Sequence, residues 1–323
     1  PGVTNTRRQA TSSSQKIATL PPDIARMNSR AARAVVVAII QSMSDALILK
    51  LTCPDRSGIV RAVSGAITEL GGNITESQQY GDPSSGNFHM RVETEAIADP
   101  EGFRNRMTSM GEALNMTWEL NSKDRKLRTI IMASKEAHCL SDLLYHVNEG
   151  LIPIEVAAVV ANHEVLRPLA EFYGVPFVYI PVTKDTKPEA EAALMDVIAT
   201  HDAELVVLAR YMQVLSDKVC AAMEGRIINI HHSFLPSFKG ARPYAQAHAR
   251  GVKLIGATAH YVTPDLDEGP IIEQDVVRVK HSDTVTDMVA QGQDVERRVL
   301  TRAVRWHAEH RVLLNGSSTV VFA

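Results

Sequence analysis

A chain of 323 residues, 45% apolar and 22% charged, has room for two domains with sizeable cores. A net charge of −3 implies no nucleic acid or other polyanion as partner, and the longest apolar run near the start, Ala34 to Ile40, is far too short to span a bilayer. The three cysteines, Cys53, Cys139 and Cys220, are widely spaced and odd in number, which suits a reducing, cytoplasmic setting and argues against a disulfide framework or a zinc ribbon.

Residues 1–43 stand apart. Arg7, Arg8, Lys16, Arg26, Arg30 and Arg33 accompany Ser12, Ser13 and Ser14, with almost no acid. Such a composition matches a mitochondrial-type transit peptide. The plainer reading, which we favour, is an over-extended N-terminus with Met27 or Met43 as the start; either way the segment is expected to be disordered. Ala46 to Cys53 reads as a strand, Pro54 to Gly58 as a turn, and Ile59 to Leu70 as a helix with Ile59, Val63, Ala66 and Ile67 along one face. Gly71 and Gly72 stop it. Asn73 to Tyr80 and Asn87 to Thr94 read as strands across a Gly/Pro/Ser turn, Glu101 to Leu114 as a helix, and Met116 to Leu120 as a last strand. The order βαββαβ is the ferredoxin-like plan.

The run Cys53-Pro54-Asp55-Arg56-Ser57-Gly58-Ile59-Val60, followed by Gly71-Gly72-Asn73-Ile74, resembles the ACT domain family over 46–121. A glycine loop opening a helix offers free backbone N–H groups to a carboxylate. The resemblance implies a regulatory module, with Asp55, Gly58 and Asn73 at a ligand-bearing interface between paired domains. An amino-acid effector and a homo-oligomer are therefore expected.

Asn121 to Lys126 reads as a charged, exposed linker. Beyond it, strands at Leu127–Ala133, Ile154–Ala161, Phe177–Val182, Leu205–Ala209 and Ile227–Ile230 alternate with helices near 138–149, 164–173, 187–201 and 216–223. That alternation predicts an α/β, Rossmann-like domain with a mostly parallel sheet, over 127–323. Leu254–Val262 and Ile271–Val279 are expected to add antiparallel strands. Thr284 and Asp287 can cap a final helix running to about His310, with Met288, Val295, Val299 and Ala303 along one face.

The apolar run Arg226-Ile227-Ile228 ends abruptly in Asn229-Ile230-His231-His232-Ser233. Open α/β sheets bind ligands at the C-terminal ends of their strands. Asn229, His231 and Asp267, the last in the turn Leu266–Pro270, could hold a carbonyl, move a proton and orient a water. Adjacent His231 and His232 point to opposite sides of a strand, which does not suit a zinc site, and no Gly-x-Ser-x-Gly elbow supports a serine hydrolase.

Four patterns in this order resemble the formyltransferase family that uses 10-formyltetrahydrofolate: Asn229-Ile230-His231; Leu235-Pro236-Ser237-Phe238 with Gly240; Gly256-Ala257-Thr258-Ala259-His260-Tyr261-Val262; and Asp267-Glu268-Gly269-Pro270. The resemblance spans about 127–310. It implies Asn229, His231 and Asp267 as catalytic residues and a pterin-facing loop at Met212, Gln213, Val214 and Leu215, with His260 and Val262 lining the site. Arg242 is a further candidate for polar contact. The folate would be the substrate, and neither cofactor nor metal is expected.

Family members that formylate a nucleotide amine carry a glycine-rich phosphate loop after the first strand. Here that stretch is Ser134-Lys135-Glu136-Ala137-His138-Cys139-Leu140, which has no glycine to close on a phosphate and an acid to repel one. Water then remains as nucleophile. With the upstream module fused on, the chain resembles the formyltetrahydrofolate deformylases, which implies release of formate and tetrahydrofolate. Transfer to another amine acceptor, or a non-catalytic folate and amino-acid sensor, are the alternatives.

Overall fold

The computed structural model describes residues 46–236 and 243–323. The N-terminal segment 1–43, and Phe238, Gly240 and Arg242, lie outside the described residues.

The first module runs β1 (Leu47–Pro54), helix Ile59–Glu69, β2 (Asn73–Asp82), β3 (Asn87–Glu95), helix Pro100–Leu114 and β4 (Thr117–Ser122). Its antiparallel sheet has the order β2-β3-β1-β4. Ile59, Val63 and Ile67 from one helix and Phe103 and Met107 from the other bury against Leu49, Leu51, Met90 and Val92. The ferredoxin-like plan expected from the order of elements is present. The sheet extends further than expected, because Asn121 pairs within β4 rather than opening a linker.

The second module has a seven-stranded sheet of order β11-β10-β9-β8-β5-β6-β7. Its strands are β5 (Leu127–Ala133), β6 (Ile154–Ala161), β7 (Phe177–Tyr179), β8 (Leu205–Leu208), β9 (Ile227–His231), β10 (Leu254–Tyr261) and β11 (Ile271–Arg278). Strands β5 to β9 run parallel, and β10 and β11 are antiparallel additions. Central strands covered on both faces read as continuous apolar runs, which is why Leu127–Ala133 and Leu205–Leu208 were readable from sequence. One face packs Leu140, Ala257, Val299 and Ala303 beneath the helix Val285–Ala308. The other packs Leu194, Leu208, Leu215 and Val219 beneath the helices Lys187–Thr200 and Asp217–Ala222. Thr284 and Asp287 form the expected capping box on the last helix.

Some elements differ from expectation. Strand β7 stops at Tyr179, two residues before Pro181, which has no N–H for the ladder. The stretch 164–173 divides into a tight turn, Glu164–Leu166, and a short helix, Arg167–Phe172, with Pro168 in its first turn. The helix Pro243–Arg250 and the hairpin β12 (Val312–Asn315) and β13 (Ser318–Val321) were not anticipated. That hairpin ties the modules together: Asn315 donates to Asp82 at 2.8 Å and accepts from Asn87 at 3.2 Å. Nearby, the buried Arg91 of β3 donates to the Glu309 carbonyl at 2.9 Å, where the last helix ends.

Candidate active site

Strand β9 runs through Asn229 to His231, and β10 lies antiparallel beside it with His260 opposite Asn229 and Thr258 opposite His231. The register alone therefore brings two imidazoles and a carboxamide together. Asp267 comes from the turn after β10, where its φ of +58° is a left-handed position uncommon outside glycine. Two residues on, a Cβ at Gly269 would collide with the Tyr261 carbonyl oxygen, so the turn folds back onto β10 only because no side chain is there.

The resulting geometry fixes protons. His231 Nδ1 lies 3.2 Å from Asp267 Oδ1. A carboxylate accepts, so Nδ1 carries a hydrogen, and whenever the ring is neutral the lone pair is on Nε2. That Nε2 is buried with no hydrogen-bond partner among the described residues. His260 Nδ1 donates to the Tyr261 carbonyl at 2.8 Å, which leaves its Nε2 to accept from Asn229 Nδ2 at 3.2 Å. Burial pushes His260 below the ordinary imidazole range, in keeping with this neutral form. The Asn229 carboxamide is thus oriented with its N–H groups forward, one of them bound by His260. Burial would push the Asp267 carboxyl up, but the hydrogen bond and charge of His231 outweigh it and hold the group below 3.8. It is a carboxylate at neutral pH.

The loop after β9 is pinned from behind. Thr258 Oγ1 donates to the Ser233 carbonyl at 2.9 Å and accepts from the Leu235 N–H at 3.0 Å, next to the cis Leu235–Pro236 peptide.

Asn229, His231 and Asp267 line one cavity of about 220 Å³ with Met212, Gln213, Val214, Leu215, His260 and Val262. Apart from Arg242, which lies outside the described residues, the residues singled out for catalysis or substrate binding all line this space. Met212, Val214 and Leu266 leave much of their apolar surface open at its rim, as a site for a flat ring would. A larger cavity of about 540 Å³ lies between the modules, where Lys50 pairs with Glu119 and Arg125 with Glu204.

The residues singled out in the first module are not gathered. Asp55 packs beside Gly81 near the end of β2, with Gly58 three residues on, whereas Asn73 begins that strand. Eight residues of extended chain separate the two ends by roughly 25 Å.

A network that sequence reasoning missed sits behind the cavity. The Glu296 carboxylate, 1% exposed, accepts from Tyr244 Oη at 2.5 Å and pairs with His138 Nε2 at 2.8 Å and Arg210 Nε at 3.3 Å. A glutamate within the apolar stripe of the last helix was the available signal, since a buried carboxylate demands partners. Glu296, His138 and Cys139 have potential ligand atoms within 4.8 Å of one another. Burial, with the Glu296 charge beside it, holds the Cys139 thiol protonated. Glu296 is engaged by hydrogen bonds with Tyr244 and His138 and by the charge of Arg210, whose Nε makes no hydrogen bond among the described residues. Burial and then the Arg210 charge push His232 down to about 4, so this ring too is neutral.

Residues 127–304 match the family model described as Formyl transferase, and residues 47–111 the ACT domain. A formyltetrahydrofolate deformylase of a Corynebacterium species is 50% identical over 277 residues, covering 85% of this chain and 97% of the relative. The one from Escherichia coli is 42% identical over 276 residues, with 85% and 97% covered. The crystal structure of a formyltetrahydrofolate deformylase from Pseudomonas syringae superposes with a TM-score of 0.84 at 44% identity, over 92% of this chain and all of that one. Glycinamide ribonucleotide transformylase 1 from Symbiobacterium toebii matches at a TM-score of 0.58 and 32% identity, over 61% of this chain and 95% of its own.

Proposed function

The chain belongs to the formyltetrahydrofolate deformylase family, and from that membership we propose that it hydrolyses 10-formyltetrahydrofolate to formate and tetrahydrofolate, the chemistry residing at Asn229, His231 and Asp267. The observation that carries the site assignment is the buried Nε2 of His231, which has no hydrogen-bond partner among the described residues, with the Asp267 carboxylate at Nδ1 on the other side of the ring.

In this reading the pterin rests against Met212 to Leu215 and Val262, and the formyl oxygen receives a hydrogen bond from Asn229 Nδ2. Water attacks the formyl carbon while His231 Nε2 takes its proton. Charge that builds on the oxygen is met by the Asn229 N–H, already oriented by His260, so no reorganisation is needed as the reaction proceeds. Asp267 stabilises the imidazolium that forms. When the tetrahedral adduct collapses, the bond from carbon to the folate nitrogen breaks and His231 returns the proton to that nitrogen. Formate and tetrahydrofolate leave. The folate is the substrate, and the step uses only groups of this chain and water.

We assign catalysis to 127–323 and regulation to 46–121, with a cytoplasmic setting that suits three buried free cysteines. The first module leaves β2 as an edge strand with polar residues facing out. Within the same proposal, a second copy aligned antiparallel along β2 sets Asn73 of one copy near Asp55 and Gly58 of the other, completing a site for a small amino-acid effector. Formate release from 10-formyltetrahydrofolate by the purified chain, measured beside Asn229→Ala, His231→Ala and Asp267→Ala, tests the catalytic assignment. Absence of release by the parent chain, or full activity in those variants, overturns it.

A further inference from the structure

Arg210 occupies a place that the backbone would more readily give to glycine. Its φ is +62°, a left-handed position that is strained for an ordinary side chain. The side chain is 14% exposed and lines the cavity that holds Asn229, His231 and Asp267. Its guanidinium is held from behind by Glu296, which is itself gripped by Tyr244 and His138. Gly292 of the last helix is part of the same construction, since a Cβ there would collide with the Tyr244 phenol. Three separate segments of the chain thus converge to hold one strained arginine at the cavity wall.

Its position within the layers says which wall. Tyr211, Leu215 and Val262, which line the cavity below its apolar rim, pack into the core on one face of the sheet. The helix bearing Glu296 packs into the core on the other face, with Cys139, Leu140, Val295 and Val299. Of the network only Arg210 borders the cavity, next to His232, whose ring lies 5.3 Å from that of His231 and 6.3 Å from that of Tyr244. A folate gripped by the rim therefore has its formyl carbon open to attack from the side that Arg210 closes.

Resting on the deformylase reading, we propose that Arg210, anchored by Glu296, determines the nucleophile: it fills and charges the approach that an amine acceptor needs and leaves room for water. Volume and charge act together. The cavity, about 220 Å³, must already take the reacting end of the folate, which leaves space beside Arg210 for little more than water. A guanidinium at its wall also repels an incoming ammonium. Residues 134–140, without a phosphate loop, remove an anchor for a large acceptor; Arg210 acts at the reacting carbon, where it discriminates against small amines as well. Opened, the site would transfer the formyl group: an amine nitrogen bonds to the formyl carbon, the bond from that carbon to the folate nitrogen breaks, and the amine proton passes through His231 to the folate nitrogen. Nothing is oxidised or reduced.

The test is the partition of product. The full chain, its Arg210→Gly variant and its Arg210→Asn variant, the last because asparagine tolerates left-handed backbone, are given 10-formyltetrahydrofolate and increasing glycinamide. N-formylglycinamide and formate are then quantified by proton NMR. The parent chain should yield formate alone, whereas either variant should raise the ratio of formylated amine to formate at least about tenfold, in proportion to amine concentration. A folded variant that still releases formate with the parent's ratio overturns the proposal. So does failure of both variants to fold, which makes Arg210 a structural residue. Absence of formate from the parent chain would instead sink the deformylase reading itself, whatever the variants do.

Discussion

The Nδ1 of His231 lies 3.2 Å from Oδ1 of Asp267, and the buried Nε2 of the same ring has no hydrogen-bond partner among the described residues. A buried nitrogen without a partner is costly in a finished core. It is the expected state of a base waiting for the proton of a bound water.

Replacing Asp267 by asparagine keeps the size of the side chain and removes its charge. The imidazolium formed during attack then loses its counter-charge while the pterin contacts remain. We expect kcat for formate release to fall on the order of 10²–10³-fold, with KM changed little, since the lost interaction is made mainly in the transition state. Steady-state kinetics on Asp267→Asn check this. A loss confined to KM would place Asp267 in substrate binding instead.

Gly269→Ala should separate catalysis from folding. The added Cβ runs into the Tyr261 carbonyl oxygen, the acceptor that fixes the His260 tautomer. Displacing the turn moves Asp267 away from His231, and a misplacement on the order of 1 Å is enough to cost about 10²-fold in rate. Unfolding curves should show a smaller effect, because the apolar cores lie elsewhere. Activity close to that of the parent would show that the position of Asp267 is not critical.

Much of this arrangement could be read before the structure, and what could not has physical causes. Strands β5 and β8 were visible because both their faces are covered, so apolar residues run without a break. The trio of Asn229, His231 and Asp267 could be proposed because each lies where a strand or turn ends. The pairing of His260 with Asn229 could not, since it depends on the antiparallel register of β10 on β9. Arg210 lies two residues before the loop taken to face the pterin, Met212 to Leu215, and was not singled out. Its ion pair spans 86 residues of sequence to Glu296, and nothing local to either residue signals the other. The closing hairpin did carry a signal, Asn315-Gly316 between apolar runs, which the sequence reading passed over.

Glu296 bears a stability prediction of its own. Glu296→Ala leaves Arg210 and His138 facing a cavity where a carboxylate stood. Removing one partner of a buried ion pair costs about 3–5 kcal/mol. Tyr244→Phe removes a single donor and should cost about 1–3 kcal/mol. Urea unfolding of both variants, compared with the parent at neutral pH, checks the order. Equal and small losses would mean that the network does not hold the wall of the site.

The contact between the modules should fail in acid, in two stages. On the second module's side of the cavity between them, the Tyr261 hydroxyl donates to His307 at 2.7 Å. Burial, then the charge of Lys50 from the first module, push His307 down to about 3 and neighbouring His310 to about 4. Unfolded histidine binds its proton near 6.5, so the unfolded chain takes up protons first and stability begins to decline as pH falls below that value. Glu93 adds the second stage. Burial would push its carboxyl up, but hydrogen bonds from Lys123 and Arg91 outweigh burial and bring it from 4.5 to about 2. Its contribution is complete above 4.5 and is lost as pH falls from there towards 2. Arg91 is the residue that reaches across to the Glu309 carbonyl, so protonating Glu93 loosens the docking as well as the sheet. Trp118 lines the cavity between the modules and reports on that contact. Its fluorescence should shift to the red in the acid range, and Glu93→Gln should show at neutral pH part of the shift that the parent shows only in acid. An unchanged Trp118 signal in that variant, with unchanged urea stability, would remove Glu93 and Arg91 from any role in holding the modules together.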